Sequence, residues 1–138
     1  MSELNVQVVS PERVLYSGVG TRVIARAAGG DIAFLAGHAP FIGSLAIGTV
    51  RVLLIDGGEQ TIAVHGGFVE VGGDHVTVLS DVAELPEQID VGRAEHAKDV
   101  AQRALATADE TDAEELKAAI ARAEVRIEAA KAASAADA

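Results

Sequence analysis

Cysteine is absent from this chain of 138 residues, and aromatic side chains are few, with three phenylalanines and one tyrosine. Without cysteine the chain has no disulfide, thiol nucleophile or thiolate metal site, which fits a reducing compartment. Long apolar runs are missing as well. No apolar stretch approaches the roughly 20 residues that are needed to cross a bilayer. The N-terminal residues alternate in polarity instead of forming a secretory signal. We therefore expect no direct membrane insertion.

Positive charge is also scarce. Eleven Lys and Arg residues stand against 21 Asp and Glu residues, which gives a formal net charge of −10. A basic patch is the usual footprint of nucleic-acid binding, and basic segments mediate adhesion to anionic lipid. The charge therefore argues against both partners. It leaves two interpretations, a solvated acidic surface or a partner with basic patches.

The composition changes sharply near Pro86. Thirteen of the 14 glycines, all three phenylalanines and the tyrosine precede this proline, and Ala, Glu, Asp, Arg and Lys dominate after it. Such a change is typical of a domain boundary. We therefore predict two domains, residues 1–85 and residues 86–138.

The first part has the pattern of short strands. Leu4, Val6 and Val8 alternate with polar residues, as in a strand with one apolar face. Glycine pairs at 57–58 and 72–73 indicate two hairpins, because glycine supplies the positive φ of tight turns. We predict strands at 21–26, 31–35, 49–56, 60–65, 68–71 and 75–79. Many short strands with regular turns are typical of a β-sandwich or barrel.

The second part has the pattern of two helices. Asp90 is a suitable N-cap for a first helix that opens at Val91, and alanines follow on one face at 94, 97, 101, 104 and 108. Thr111 to Glu114 has the form of a capping box, which predicts the start of a second helix. Its apolar face would carry residues 116, 120, 123, 127 and 130. Because the connection is short, the helices should lie antiparallel.

Few bulky apolar residues support this helical hairpin, since only seven Val, Leu or Ile residues lie in the 49 positions from Asp90 onward. Each contributes roughly 1.5–3 kcal/mol when fully buried, whereas ordering each backbone residue costs about 1–2 kcal/mol. We therefore expect the hairpin to need docking to another surface and to be mobile between more than one arrangement.

Residues that would support catalysis are not grouped in the sequence. The histidines, at 38, 65, 75 and 96, have no H-x-x-x-H spacing, and without cysteine we predict no metal site. His65 and His75 are interpreted as surface or hydrogen-bonded histidines. No G-x-S-x-G motif is present, so we predict no catalytic residue. The glycine pairs at 29–30 and 66–67 lack the ending of a phosphate loop, which favours turns or bulges.

The segment from Gly37 to Phe41, with the sequence GHAPF, follows a predicted strand. Pro40 has a fixed φ and forces Ala39 into an extended conformation, so the loop is shaped and not slack. Two interpretations remain open for this loop. It is either a rigid turn or a docking loop that presents His38 and Phe41.

Together these motifs resemble the ε subunits of F-type ATP synthases over nearly the whole chain. Residues 9–12 (VSPE) are similar to the family's V-[ST]-P-x opening, and residues 30–40 (GDIAFLAGHAP) to its G-E-I-G-I-L-P-G-H-A-P motif. Residues 66–71 (GGFVEV) match G-G-F-x-E-V, and residues 89–94 (IDVGRA) fit the [IL]-D-x-x-R-A motif of ATP-binding bacterial members. Asp31, Ala33 and Ala36 depart from the pattern, which affects the loop contact and not the fold.

The resemblance implies a ten-stranded β-sandwich followed by an antiparallel two-helix hairpin. It implies a non-catalytic F1 subunit at the cytoplasmic face of the cell membrane, peripheral to it, which couples F1 to the c-ring through the γ subunit during ATP synthesis and hydrogen-ion transport. The hairpin would fold against the sandwich, or extend to the α and β subunits and inhibit ATP hydrolysis. The rotor-docking loop would comprise Asp31, Gly37, His38, Ala39, Pro40 and Phe41.

No cofactor is required by this resemblance, but it implies ATP as a regulatory ligand of the folded hairpin. The family positions of the site are Glu84, Ile89, Asp90, Arg93, Ala94 and Arg122. Elementary chemistry supports an anion site there, because free N–H groups gather at a helix start and Arg93 adds a cationic fork. The alternative is an N-cap with ordinary ion pairs on the helix surface.

Two functions of other classes compete with this hypothesis. A small-molecule enzyme with a pocket in the sandwich would need convergent titratable groups, which the sequence does not show. A structural adaptor unrelated to ATP synthase would have no reason to carry these motifs in this order.

Overall fold

The structure is a computed structural model that describes residues 3–137. The elements follow the change in composition, with strands first and helices after Pro86. The strands are β1 Leu4–Val9, β2 Val14–Ala27, β3 Gly30–Leu35, β4 Phe41–Leu54, β5 Glu59–Val71, β6 His75–Leu79 and β7 Ala83–Glu84. A 3₁₀ turn, Pro86–Gln88, leads into helix α1 Val91–Leu105 and helix α2 Glu110–Asp137.

The sheet closes on itself. The strands pair in the order β1, β6, β5, β4 and β2, and β1 also pairs with β2, so that these five strands form a closed ring. β3 extends the sheet beyond β2, and β7 pairs with β5. Closure removes the free edges that an open sheet exposes. The result is a closed barrel, and the expectation of a β part followed by two helices is confirmed.

The expectation of ten strands is wrong, because the described residues form seven. Three of the seven strands contain 13 or 14 residues, whereas most strands contain 3–10. These long strands change partners along their length. The first half of β2 pairs with β1 and the second half with β3. Short strands that the sequence pattern predicts are therefore, in this chain, halves of longer, bent strands.

The predicted strands 60–65 and 68–71 are one such case. They are joined in β5, whose pairing with β4 keeps one register from Glu59 to Val71. Gly66 and Gly67 have φ of 88° and 127°, which glycine adopts without steric cost. A Cβ at Gly67 would lie 2.1 Å from the carbonyl oxygen of Leu79. The glycines thus bend the strand and do not end it.

The core of the barrel follows the alternation seen in the sequence. Leu4, Val6 and Val8 are buried, as expected. Both predicted glycine hairpins are confirmed, because β4 turns into β5 through residues 55–58 and β5 into β6 through residues 72–74. In the first of these turns the carboxylate of Asp56 accepts a hydrogen bond from the N–H of Gly58 at 2.9 Å.

The helices confirm the predicted hairpin and correct one cap. Asp90 caps α1 as predicted, because its carboxylate accepts a hydrogen bond from the N–H of Arg93 at 3.0 Å. The predicted capping box at Thr111 is wrong. Asp109 caps α2 instead, since its carboxylate accepts from the N–H of Asp112 at 2.8 Å. Both residue types are good caps, and aspartate ranks above threonine.

Helix α2 lies on the outside of the barrel, across β4 and β5. Its residues Val125 and Ala129 are buried against Ala63 of β5, and Ile47 and Ile89 pack around them. This second face of α2, distinct from the face toward α1, was not predicted. The expectation that the hairpin docks on another surface agrees with the structure, and the contact is small beside the barrel core.

Between residues 3 and 137, neither helix is both long enough and apolar enough to cross a membrane.

Candidate functional site

A cavity of about 400 Å³ lies where the barrel meets both helices. β7 and the 3₁₀ turn supply one wall, the first turns of α1 a second, and α2 the third. The lining residues are Glu84, Gln88, Ile89, Asp90, Arg93, Ala94, Ala97 and Arg126.

Five of the six residues predicted for an ATP site line this cavity. They lie within eleven positions of one another in the sequence, so the local turn from β7 into α1 is enough to gather them. Arg122 does not line the cavity. Its guanidinium donates a hydrogen bond to Glu115 at 3.1 Å on the same helix.

Arg126, which was not predicted as a site residue, lines the cavity. Its Nε donates a hydrogen bond to the Glu84 carboxylate at 2.7 Å. The spacing in the sequence offered a signal, because residues four apart lie on the same face of a helix. Arg122 and Arg126 therefore face in the same general direction, one turn apart.

The start of α1 points its polar groups toward the cavity. Asp90 accepts hydrogen bonds from two of the first N–H groups. Its carboxylate accepts from the N–H of Arg93, and its carbonyl oxygen accepts from the N–H of Ala94, both at 3.0 Å. The remaining N–H groups at the helix start have no intrahelical partner and suit an anion. The Arg93 side chain makes none of the hydrogen bonds or ion pairs found among residues 3–137, which leaves its guanidinium available to a ligand.

Glu84 lies at the centre of the polar network. Its Oε1 accepts hydrogen bonds from Arg126 and from Nε2 of His65, at 2.7 and 2.9 Å. Burial raises the pKa of this carboxyl, but the hydrogen bonds and charges of His65 and Arg126 outweigh burial and lower the pKa below its ordinary 4.5. Glu84 is therefore ionised at neutral pH and holds the barrel and α2 together.

His65 is the least accessible ionisable side chain of this network, with 3% of its side-chain surface exposed. Its Nδ1 is buried and has no hydrogen-bond partner among residues 3–137. Burial lowers the pKa of His65 below 6.5, and the positive charges of Arg126 and Arg122 add to this effect, while Glu84 opposes it. His65 was expected to be a surface or hydrogen-bonded histidine. It is not at the surface, and only its Nε2 is hydrogen-bonded.

The charges that line the cavity balance. Glu84 and Asp90 oppose Arg93 and Arg126, so the wall as a whole is neutral. A phosphate group would gain from both arginines and from the helix start, and would compete with Glu84 for Arg126. The cavity therefore offers the chemistry for a phosphate-bearing ligand that draws Arg126 away from Glu84.

The predicted rotor-docking residues occupy two places. Gly37, Ala39 and Pro40 are exposed in the loop between β3 and β4, with His38 and Phe41 partly covered. Asp31 is at the opposite end of β3, about 13 Å along the strand from Leu35 at 3.3 Å per residue. There it accepts a hydrogen bond from Arg26 at 3.0 Å. Asp31 is thus not part of the same loop surface.

The loop itself is shaped by an aromatic cluster. The His38 ring lies 5.2 Å from the buried ring of Phe34 and 6.4 Å from that of Phe41, with an edge-to-face arrangement in both pairs. His38 Nδ1 is 2.6 Å from the carbonyl oxygen of Ala39. Gly37 has a φ of 87°, which allows the chain to turn at the end of β3. The two interpretations of the loop, rigid turn and docking surface, are therefore compatible.

No group of three or more His, Asp or Glu side chains within residues 3–137 is placed to hold a metal ion.

Comparison with known proteins places the barrel in a family. Residues 3–86 match the family described as ATP synthase, Delta/Epsilon chain, beta-sandwich domain. The ATP synthase epsilon chain of Shouchella clausii is 38% identical over 131 residues, which are 95% of this chain and 97% of the relative. The epsilon chain of Brevibacillus brevis is 46% identical over 105 residues, which are 76% of this chain and 80% of the relative.

The fold has a counterpart among solved structures. A chain in the cryo-EM structure of the Euglena gracilis mitochondrial ATP synthase, OSCP/F1/c-ring in rotational state 1, superposes with a TM-score of 0.81 at 22% identity, covering 94% of this chain and 81% of that one. At this identity the likeness concerns the fold. Since the family model matches residues 3–86 and the Shouchella relative is aligned over 95% of the chain, this protein belongs to the family of ATP synthase epsilon chains.

Proposed function

We propose that this protein is a non-catalytic subunit of the F1 sector, located in the central stalk of a proton-translocating ATP synthase. It would bind the γ subunit and the c-ring, at the cytoplasmic face of the cell membrane and peripheral to it. The observation that carries the proposal is the 38% identity to an ATP synthase epsilon chain over 95% of this chain, which includes both helices. The Euglena ATP synthase assembly of OSCP, F1 and c-ring, one chain of which shares this fold, adds support.

The exposed loop from Gly37 to Phe41 is the proposed surface for rotor docking. The Phe34, His38 and Phe41 rings brace it from within, so the loop would meet a partner with little loss of conformational entropy. Co-expression with the γ subunit of the same source and affinity purification test the assignment. A chain that fails to copurify with γ at any ratio contradicts it. An Ala39→Glu variant, which leaves the ring cluster intact, should reduce binding to the assembled rotor.

The helical hairpin is proposed as a regulatory element that leaves the barrel and extends toward the α and β subunits, where it inhibits ATP hydrolysis. The support is the small apolar contact at Val125 and Ala129. Since the chain has no cysteine, Thr49→Cys and Glu128→Cys can carry a specific cross-link. These two side chains are joined by a 3.0 Å hydrogen bond across the contact. An αβγ assembly with the locked hairpin should hydrolyse ATP faster than the same assembly without the cross-linker, and equal rates contradict the inhibitory role.

ATP is proposed as the ligand that favours the folded hairpin, bound in the cavity of about 400 Å³ between β7, α1 and α2. Glu84, Ile89, Asp90, Arg93 and Ala94 line it. A ligand that touches both the barrel and the hairpin stabilises their docked arrangement by mass action. No metal or other cofactor is proposed for this site.

The ATP proposal is tested by thermal unfolding with and without millimolar ATP. ATP should raise the melting temperature of the wild type and have less effect on Arg93→Ala or Arg126→Ala. The matched control is Arg103→Ala, because Arg103 lies on the same helix with 80% of its side chain exposed and its guanidinium paired with Asp99. A melting temperature that ATP does not change, or equal responses of the Arg93 and Arg103 variants, would contradict nucleotide binding at this cavity.

A further inference from the structure

The contact between α2 and the barrel has an ionisable group at its base. Ala63 and His65 lie on the same face of β5, because side chains alternate along a strand. Ala63 is covered by Val125 and Ala129 of α2, and His65 lies beside it with 3% of its side chain exposed. Helix α2 therefore packs next to this histidine, and its Arg126 binds the same Glu84 oxygen as the ring, so that departure of α2 would open this side of the ring to water.

The hydrogen bonds of His65 favour the neutral ring when α2 is docked. Nε2 donates to Glu84 at 2.9 Å, so the neutral tautomer with hydrogen on Nε2 satisfies that side of the ring. Nδ1 is buried and finds no partner in the part of the chain that the structure describes. A second proton would have to sit on Nδ1, where among the described residues no acceptor faces it, and a buried donor without an acceptor is costly.

The charges that face His65 come from two sides. Glu84 belongs to β7, which pairs with β5 at Ala63 and Val64 and is thus part of the barrel. Arg126 and Arg122 both belong to α2 and lower the pKa of the histidine. Departure of α2 would remove both cations and leave the carboxylate beside the ring. The undocked barrel is therefore the better binder of a proton.

We propose that docking of the helical hairpin on the barrel is linked to release of a proton from His65, so that acidification favours the undocked hairpin. This inference rests on the proposed mobility of the hairpin and adds a signal that controls it. His65 is a positioning group in this device, since it acts through Glu84 and Arg126 and touches no ligand.

The direction of the effect follows from linkage. The pKa of His65 is lowered by docking, so the docked state is favoured at high pH and loses this advantage as the pH falls below the pKa of the undocked histidine. One proton is involved. The docking equilibrium constant should therefore fall by at most about tenfold per pH unit, with the change near the ordinary histidine range of about 6.5.

The test measures the docked fraction of the full chain against pH. Spin labels at Glu12→Cys, in the exposed turn after β1, and Lys131→Cys, on the exposed side of α2, report the distance between barrel and hairpin. The docked population of the wild type should fall between about pH 8 and about pH 5.5. His65→Gln should lose this dependence, because glutamine can donate to Glu84 and does not titrate.

Two further variants separate the possible failures. His75→Gln removes a histidine whose side chain is 45% exposed and lies on β6, and it should keep the wild-type pH profile. Ala129→Asp places a charge in the apolar contact and should release the hairpin at every pH. The proton link is refuted if Ala129→Asp releases the hairpin but the docked fraction of the wild type does not change with pH. It is also refuted if His65→Gln shows the same pH dependence as the wild type. If Ala129→Asp also stays docked, the hairpin is not mobile and both proposals fail.

Discussion

Truncation of Val125 to alanine should loosen the hairpin and leave the barrel unchanged. Val125 is 9% exposed and contacts Ala63 from α2. The change removes two buried methyl groups at about 0.8 kcal/mol each, plus a small term for the void. Alanine regains about 0.5 kcal/mol through its higher helix propensity. The net loss of docking free energy is therefore about 1–2 kcal/mol.

Val100→Ala is the matched control, because it makes the same chemical change in α1 at a side chain that is 51% exposed. At this position the gain in helix propensity offsets most of the lost burial, so the net effect should be within about 0.5 kcal/mol of zero. Comparing the two variants cancels the propensity term and leaves the docking contact.

Hydrogen exchange read out by residue distinguishes the parts of the molecule. In Val125→Ala the amides of α2 should exchange about 5–30 times faster than in the wild type, while the amides of β4 and β5 in the barrel core keep their protection. Unchanged exchange in α2, or the same acceleration in Val100→Ala, would refute the conclusion that Val125 holds the hairpin on the barrel.

Three further changes test other parts of the structure. Gly67→Ala should destabilise the barrel by about 1–3 kcal/mol in chemical denaturation, since a Cβ there would meet a backbone oxygen at 2.1 Å with a φ of 127°, whereas Gly73→Ala, with open space around it, should have little effect. Asp90→Ala should lower helix stability by about 1 kcal/mol through loss of the cap, as judged by thermal melting followed by circular dichroism, and Asp90→Asn should not. Glu84→Gln should be less stable than the wild type, and the difference in unfolding free energy should be largest above pH 4.5, the ordinary pKa of this carboxyl. The difference should shrink as the pH falls through the lowered pKa of Glu84, as measured by a series of denaturation curves.

Local signals in the sequence predicted the local structure well. The alternation of Leu4, Val6 and Val8 and the glycine pairs 57–58 and 72–73 act over a few residues, and the strands and hairpins that they predict are present. The N-cap at Asp90 is of the same kind. The division at residue 85 stays a prediction about domains, although the secondary structure changes type there.

Contacts between distant segments were predicted less well. Gly66 and Gly67 were interpreted as a turn or bulge with separate strands on either side, and only the neighbouring strand shows that the pairing continues through them. Arg126 was missed in favour of Arg122 for a similar reason. Both arginines lie on one face of α2, and the crossing of α2 over the barrel decides which of them reaches Glu84.

The sequence alone determined the two-part character of this protein, the family to which it belongs and most of the residues around the cavity, because these depend on composition, motif order and spacing along the chain. Only the tertiary structure decided that five strands close into a ring, that α2 rests on β4 and β5, and that His65, Glu84 and Arg126 share one network. These features join residues as many as 79 positions apart, and no local pattern specifies which distant partners will be buried together.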